Sequence, residues 1–279
     1  MPEIAYTLPF LLLSDTDLQM ADECFRSLEA VNAEGVLVLF NQGCLSNPQI
    51  DSLMKNYRIP YILLGQGENI GIPAARQACF EYVWKNLPGI AYVAEIHVDM
   101  IFTPDWIDIL TRWLSEQDEP MIAPGILTAF GELHPEQKGI KTINVPSGYD
   151  EILSLLPTLT SDKVLQGLVH PVVHRTDCLQ AVGGYDTRFL KGRQGYEDDS
   201  LLLGYRYYMG TRNDWKPKAC LRARVFHRSL AQRIHMPDIR EQCDRNLEGL
   251  IKQYGLYGLL QLSKIHGSRT FEEIAFSRL

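Results

Sequence analysis

The chain has no Cys-x-x-Cys pair. Its six cysteines (Cys24, Cys44, Cys79, Cys178, Cys220 and Cys243) are scattered through 279 residues. That spacing argues against a zinc ribbon or a thioredoxin motif and reads as small core residues of a reducing compartment. A basic surplus is also missing: 27 Lys and Arg face 34 Asp and Glu, for a formal net charge of −7. A nucleic-acid-binding surface is therefore not expected, although a few arginines or a metal ion in a cleft can still favour an anionic ligand. No apolar run approaches the roughly 20 residues of a membrane-spanning helix. Met1-Pro2-Glu3 lacks a basic cluster and Leu8 to Leu13 is shorter than a secretory core, so the expectation is a cytoplasmic chain with no transmembrane segment. Internal repeats, low-complexity tracts and an obvious interdomain linker are absent as well.

What is present is an alternation of short apolar runs and helical spacing. Leu8 to Leu13, Val36 to Phe40, Tyr61 to Leu64 and Ile90 to Ile96 read as strands buried on both faces. Between them, Leu18, Ala21, Phe25 and Leu28 fall on one helix face, after Ser14 and Asp15 as capping residues. Ile50, Leu53, Met54 and Tyr57 form a second face after Asn47-Pro48, and Ala75, Ala78, Cys79, Tyr82 and Val83 a third after Pro73. Strands separated by helices imply a parallel, Rossmann-like sheet, whose ligands gather beyond the carboxyl ends of the strands. Asn41, Gly65 to Asn69, and His97 to Asp99 lie at such ends. Later, Met121 to Pro124, Val169 to Val173 and Leu221 to Phe226 read as strands and Glu197 to Met209 as a helix. Thr128 to Lys163 reads as a long irregular segment, of the kind that is functional or mobile, and Pro237 to Leu279 as mostly helical.

Two clusters carry the chemistry. In extended chain, His97 and Asp99 point the same way and can converge on one ion. An imidazole with a carboxylate suits Mn²⁺ in preference to the oxygen-seeking Mg²⁺. The bland alternative is a turn-capping Asp99 and a core His97. Glu197-Asp198-Asp199 follows Gly195-Tyr196 at a helix start, where exposed amides favour negative charge. Acidic first turns are common on solvated helices, but three in a row exceed what capping needs, and one of them can serve as a general base. His227 ends the last strand, with Arg222, Arg224 and Arg228 nearby, and gains meaning as a ligand only beside Asp99. Asn69 and Arg76 flank the start of the Pro73 helix, where phosphate can bind or small residues can simply pack.

The order of these pieces resembles the GT-A glycosyltransferases, family 2 above all, over Leu8 to His227. Asn41-Gln42-Gly43-Cys44 is similar to the family's strand-ending Asp-Asn/Asp-Gly-Ser. Asn69-Ile70-Gly71 with Ala75-Arg76-Gln77 is similar to its Asn-x-Gly…Ala-Arg-Asn. Tyr92 to Trp106 resembles its DxD and Pro-x-Trp stretch, Gly183-Gly184-Tyr185-Asp186…Glu197-Asp198 its Gly-Gly-Phe-Asp…Glu-Asp, and Val225-Phe226-His227 its closing histidine.

The resemblance implies a GT-A α/β fold over residues 1–236, with a mostly parallel central sheet flanked by helices, and a C-terminal helical extension over 237–279. It implies inverting transfer of a hexosyl or N-acetylhexosaminyl group from a nucleotide-sugar, a UDP-sugar above others. The acceptor would be a glycan, a lipid-linked or a small-molecule hydroxyl. By carry-over, Asp198 is the base and Glu197 an acceptor contact. Asp99, His227 and His97 hold a divalent cation, Mn²⁺ before Mg²⁺. Ser14, Asn41, Asn69, Arg76 and His97 line the donor side. Three positions depart from the pattern: His97 for the first Asp of DxD, Asn41 for Asp, and Cys44 for Ser. The first two motivate an alternative, a non-catalytic GT-A module that binds a nucleotide-sugar or glycan. A nucleotidyltransferase, or an assembly role for the C-terminal helices, are remoter readings.

Overall fold

The computed structural model describes residues 3–31, 34–210, 214–228 and 238–279. In chain order the elements are β1 (Ile4–Phe10), α1 (Asp15–Glu29), β2 (Gly35–Asn41), α2 (Asn47–Met54), β3 (Tyr61–Leu64), α3 (Ile72–Asn86) and β4 (Tyr92–Glu95). There follow β5 (Met100–Phe102), α4 (Trp106–Glu116), β6 (Met121–Thr128), β7 (Leu133–His134), α5 (Tyr149–Leu155), β8 (Val164–Gln166) and β9 (Val172–Arg175). Last come α6 (Thr176–Val182), α7 (Glu197–Tyr208), β10 (Lys218–His227), α8 (Ile239–His266) and α9 (Thr270–Phe276). The α8 helix breaks at Gly255, whose φ is 67° and ψ −179°.

The strands form one mixed sheet in the order β3-β2-β1-β4-β9-β6-β10-β5, with β7 on β6 and β8 on β10. The first four strands pair in parallel, as their alternation with helices requires. From β1 the chain steps outward to β2 and β3, then returns to place β4 on the other side of β1. That reversal opens a crevice at the carboxyl ends of β1 and β4. Beyond β4 the alternation lapses, and β9 runs antiparallel to both β4 and β6.

Two cores cover the sheet. On one face Phe25, Ile50, Trp106 and Leu110 of α1, α2 and α4 pack on Leu8, Leu39 and Ala94. On the other, Phe80 of α3 meets Leu179, Leu202, Leu250 and Leu262 of α6, α7 and α8 against Ala5, Val38 and Val93. The boundary expected between Met236 and Pro237 lies outside the described residues. The helices that follow share the second core, through Leu247, Leu259 and Phe271.

Two sequence expectations shift. The first strand starts at Ile4 and ends at Phe10, because Leu11 to Leu13 leave the sheet toward the cap at Ser14. The segment from Thr128 to Lys163 is less irregular than its composition suggests. It carries β7, α5 and a 3-10 turn, Leu156–Leu159, and Ile152 and Leu156 pack under Ile101, Leu127 and Phe226. All six cysteines are free thiols, four of them buried. No helix among the described residues is long and apolar enough to cross a membrane.

Candidate active site

A cavity of about 670 Å³ opens at this crevice. Pro9 and Leu11 reach it from the end of β1, His97 to Asp99 from the end of β4, Thr128 from β6 and His227 from β10. Asn69, Gly71 and Arg76 come from the start of α3, and Arg193, Gln194 and Asp198 from the approach to α7. Phe130, Glu132, His134 and Lys138 form the far wall.

The cation-binding candidates meet because β5 pairs antiparallel with β10, setting His227 opposite Met100. This register carries Asp99 to His227, whose Nε2 lies 3.3 Å from Asp99 Oδ1, and the Arg228 amide donates to the Asp99 carbonyl at 3.0 Å. One donor atom each from His97, Asp99 and His227 fall within 4.8 Å of one another. Two imidazoles and a carboxylate, mostly buried and this close, fit a divalent transition cation.

The three acidic residues at the start of α7 diverge. Gly195 (φ 92°) and Tyr196 (φ 60°) turn the chain sharply into the helix. Asp198 faces the cavity with its side chain 37% exposed. Asp199 turns to α8, where its Oδ1 meets His266 Nε2 at 2.6 Å; burial raises its pKa, and His266 opposes that rise. Glu197 is buried and does not line the cavity.

Beneath Asp198 lies a buried polar floor that sequence reasoning missed. Glu95, the last residue of β4, is fully buried. It sits 3.0 Å from Arg76 Nε and accepts from Tyr185 Oη at 2.8 Å and from His174 Nε2 at 2.8 Å. Because that nitrogen donates, His174 Nδ1 is the acceptor for the Tyr205 hydroxyl at 2.8 Å. His170 stands above, with Nε2 3.6 Å from Glu95 and Nδ1 3.6 Å from Asp198. Burial alone would raise the Glu95 pKa; His170, His174 and Arg76 outweigh it and hold the carboxyl well below the usual range. Burial lowers the His170 pKa, but Asp198 and Glu95 on either side prevail and raise it. The available signal was a lone carboxylate inside the apolar run Ile90 to Ile96, because a buried charge requires partners.

The remaining sequence candidates fall in different places. Asn69 lines the cavity, its side chain accepting from the Gly71 amide at 3.0 Å. Arg76 also lines it, yet its guanidinium is engaged with Glu95, both oxygens of Thr7 and the Ile96 carbonyl. Asn41 is fully buried. Its side chain donates to Leu45 and Asn47 and accepts from Gly43, so it shapes its own turn, and the next residue, Gln42, reaches the cavity. Ser14 caps α1, accepting from the Asp17 amide at 3.2 Å, and is not among the lining residues. Arg224 and Arg228 direct their charge to Glu136 and Glu23; Arg193 and Lys138 line the cavity instead.

No protein-family model matches the sequence, and no curated protein does. Solved structures match the fold. A 1–349 fragment of S. aureus TarS, a glycosyltransferase, aligns with a TM-score of 0.57 at 10% identity, over 94% of this chain and 70% of that one. The same fragment with UDP gives 0.58 at 9% identity, over 97% and 72%. With UDP-GlcNAc it gives 0.56 at 12% identity, over 96% and 74%. Against a longer TarS chain this chain spans 43% of the length. The shared feature is the fold: a mixed α/β, GT-A-like glycosyltransferase architecture.

Proposed function

We propose that this protein is an inverting glycosyltransferase that moves a hexosyl or N-acetylhexosaminyl group from a UDP-sugar to an acceptor hydroxyl. One observation carries the reading. Asp198 and the group His97, Asp99 and His227 line a single cavity at the strand reversal of a GT-A-like sheet. Two TarS structures of the same fold hold UDP and UDP-GlcNAc, which supports a UDP-sugar as the donor class.

His97, Asp99 and His227 would hold the divalent cation, Mn²⁺ in preference to Mg²⁺ because two of the three ligands are imidazoles. Such an ion supplies positive charge for the departing diphosphate when bound. The protein's own groups do the rest. The exposed amides of α7 favour negative charge at Asp198, which takes the proton of the acceptor hydroxyl. The freed oxygen attacks the anomeric carbon from the side opposite the diphosphate. The carbon–oxygen bond to UDP breaks as the new glycosidic bond forms, and the configuration inverts. Of the lining residues, Asn69 and Gln42 would border the donor, and the wall from Phe130 to Lys138 the acceptor, a glycan, lipid-linked or small-molecule hydroxyl.

The test is turnover of UDP-sugars with Mn²⁺, with UDP binding followed by calorimetry. Asp198→Asn is expected to lower transfer about 10²- to 10⁴-fold while UDP affinity persists. Full activity in the variant would remove Asp198 as the base. Donor binding without turnover in the wild type, across a broad acceptor panel, would favour a nucleotide-sugar-binding module.

A further inference from the structure

The base and the cation ligands come from elements far apart in the chain, yet one imidazole touches both sides. His170 is buried, on the stretch leading into β9. Its Nδ1 lies 3.6 Å from Asp198 Oδ2, and its ring stacks on His97 with centroids 5.0 Å apart and planes 17° apart. Its Nε2 faces Glu95 at 3.6 Å. Glu95 cannot yield, because Arg76, His174 and Tyr185 hold both of its oxygens. Among the described residues, His170 is the one side chain within ion-pair distance of Asp198. The Asp198 side chain is 37% exposed on the first turn of α7, and its two side-chain torsions would otherwise sample several rotamers.

We propose that His170 is a positioning residue, clamped between Glu95 and Asp198 and stacked on His97, that fixes the Asp198 carboxylate relative to the cation ligands. The step it serves rests on the transferase reading above; the contact rests on geometry alone. A reacting group must sit within about 0.5 Å of its productive place, and a misplacement of about 1 Å can cost about 10²-fold in rate. A loose carboxylate on a helix tip would exceed that tolerance. Donor binding would change far less than turnover, because His170 faces the base carboxylate directly and meets the cation ligands only through the His97 ring.

The test compares wild type with His170→Ala and His170→Gln, each checked for fold by near-ultraviolet circular dichroism. With UDP-GlcNAc and Mn²⁺, kcat is expected to fall about 10- to 100-fold in His170→Ala. KM for the donor and UDP affinity should change by less than about twofold. His170→Gln, which keeps a side-chain donor, should recover part of the loss. The double variant His170→Ala/Asp198→Asn should be no slower than Asp198→Asn, since both act through one carboxylate. An unchanged kcat in folded His170→Ala overturns the proposal. So does a loss that multiplies with that of Asp198→Asn, or a raised KM with kcat intact. If His170→Ala does not fold, His170→Gln and His170→Asn carry the same measurements. If the wild type turns over no donor, the transferase reading fails instead, and a crystal structure of the folded His170 variant decides the positioning: a displaced Asp198 carboxylate upholds it, and an unmoved one overturns it.

Discussion

At the scale of single residues, His97 sets the donor character of the candidate cation site. A carboxylate there would give an oxygen-rich ligand set, whereas the imidazole makes two nitrogen donors and one carboxylate with Asp99 and His227. Oxygen ligands suit Mg²⁺, and imidazoles suit the transition cations. His97→Asp is therefore expected to raise the effectiveness of Mg²⁺ against Mn²⁺ by roughly tenfold. Competition of Mg²⁺ for bound Mn²⁺, followed by electron paramagnetic resonance, reads this directly; an unchanged ratio would take His97 out of the ligand set. Arg76 shows the limit of reading at this scale. A basic residue in the first turn of a helix is a natural phosphate contact in sequence. In the fold it ties Thr7 of β1 to Glu95 and Ile96, and local spacing carries no trace of those partners.

At the scale of elements, the tip of α7 is held by a helix far along the chain. Asn246 of α8 accepts from the Gly192 amide at 2.6 Å and donates to the carbonyls of Gly192 and Gly195 at 3.2 and 2.8 Å. Gln242, one turn earlier, accepts from the Arg193 amide at 2.9 Å. On the other side, the Ile72 amide of α3 donates to the Arg193 carbonyl at 2.7 Å. Gly71, at φ 87°, has no room for a side chain against the Arg193 backbone. The loop carrying Arg193 and Gln194 to Asp198 is thus clamped between α3 and α8. Asn246→Ala would leave buried backbone groups without partners, at about 1–3 kcal/mol. The expected outcome is a lower urea midpoint together with a lower kcat. Destabilisation with kcat unchanged would mean that this clamp does not reach Asp198.

At the scale of the whole molecule, the sheet and its polar floor share one hub, Glu95, and this couples stability to pH. Its carboxyl is held well below the usual range in the folded protein, against about 4.3 in an unfolded chain. A depressed folded value means that the group contributes stability in full above the unfolded value. That contribution is lost as the pH falls through the folded value. His170 works in the opposite direction, since its raised pKa contributes stability at low pH that is lost as the pH rises through its folded value. Glu95→Gln removes this group's share of the acid-side dependence. Urea midpoints at about pH 5 and about pH 3, which fall across the onset of that loss, should lie closer together in this variant than in the wild type, at a lower overall level. An equal separation would show that Glu95 does not govern the acid limb.

The apolar runs, their spacing and the helix starts established the α/β alternation, the parallel first half of the sheet and the strand ends where ligands gather. They do so because each depends only on neighbours within a few residues. His97, Asp99, Asp198 and His227 were legible for the same reason: each stands at the end of an element whose type its own stretch of chain dictates. Tertiary structure alone decided that Glu95, His170, His174 and Tyr185 converge under Asp198, that Arg76 is engaged as a strap, and that Asn41 serves its own turn. It also decided that β9 reverses direction and that α8 clamps the α7 tip. Apart from the local turn at Asn41, those contacts join residues from about 20 to 90 positions apart, and side chains without periodicity of their own acquire partners only once the sheet has closed around them.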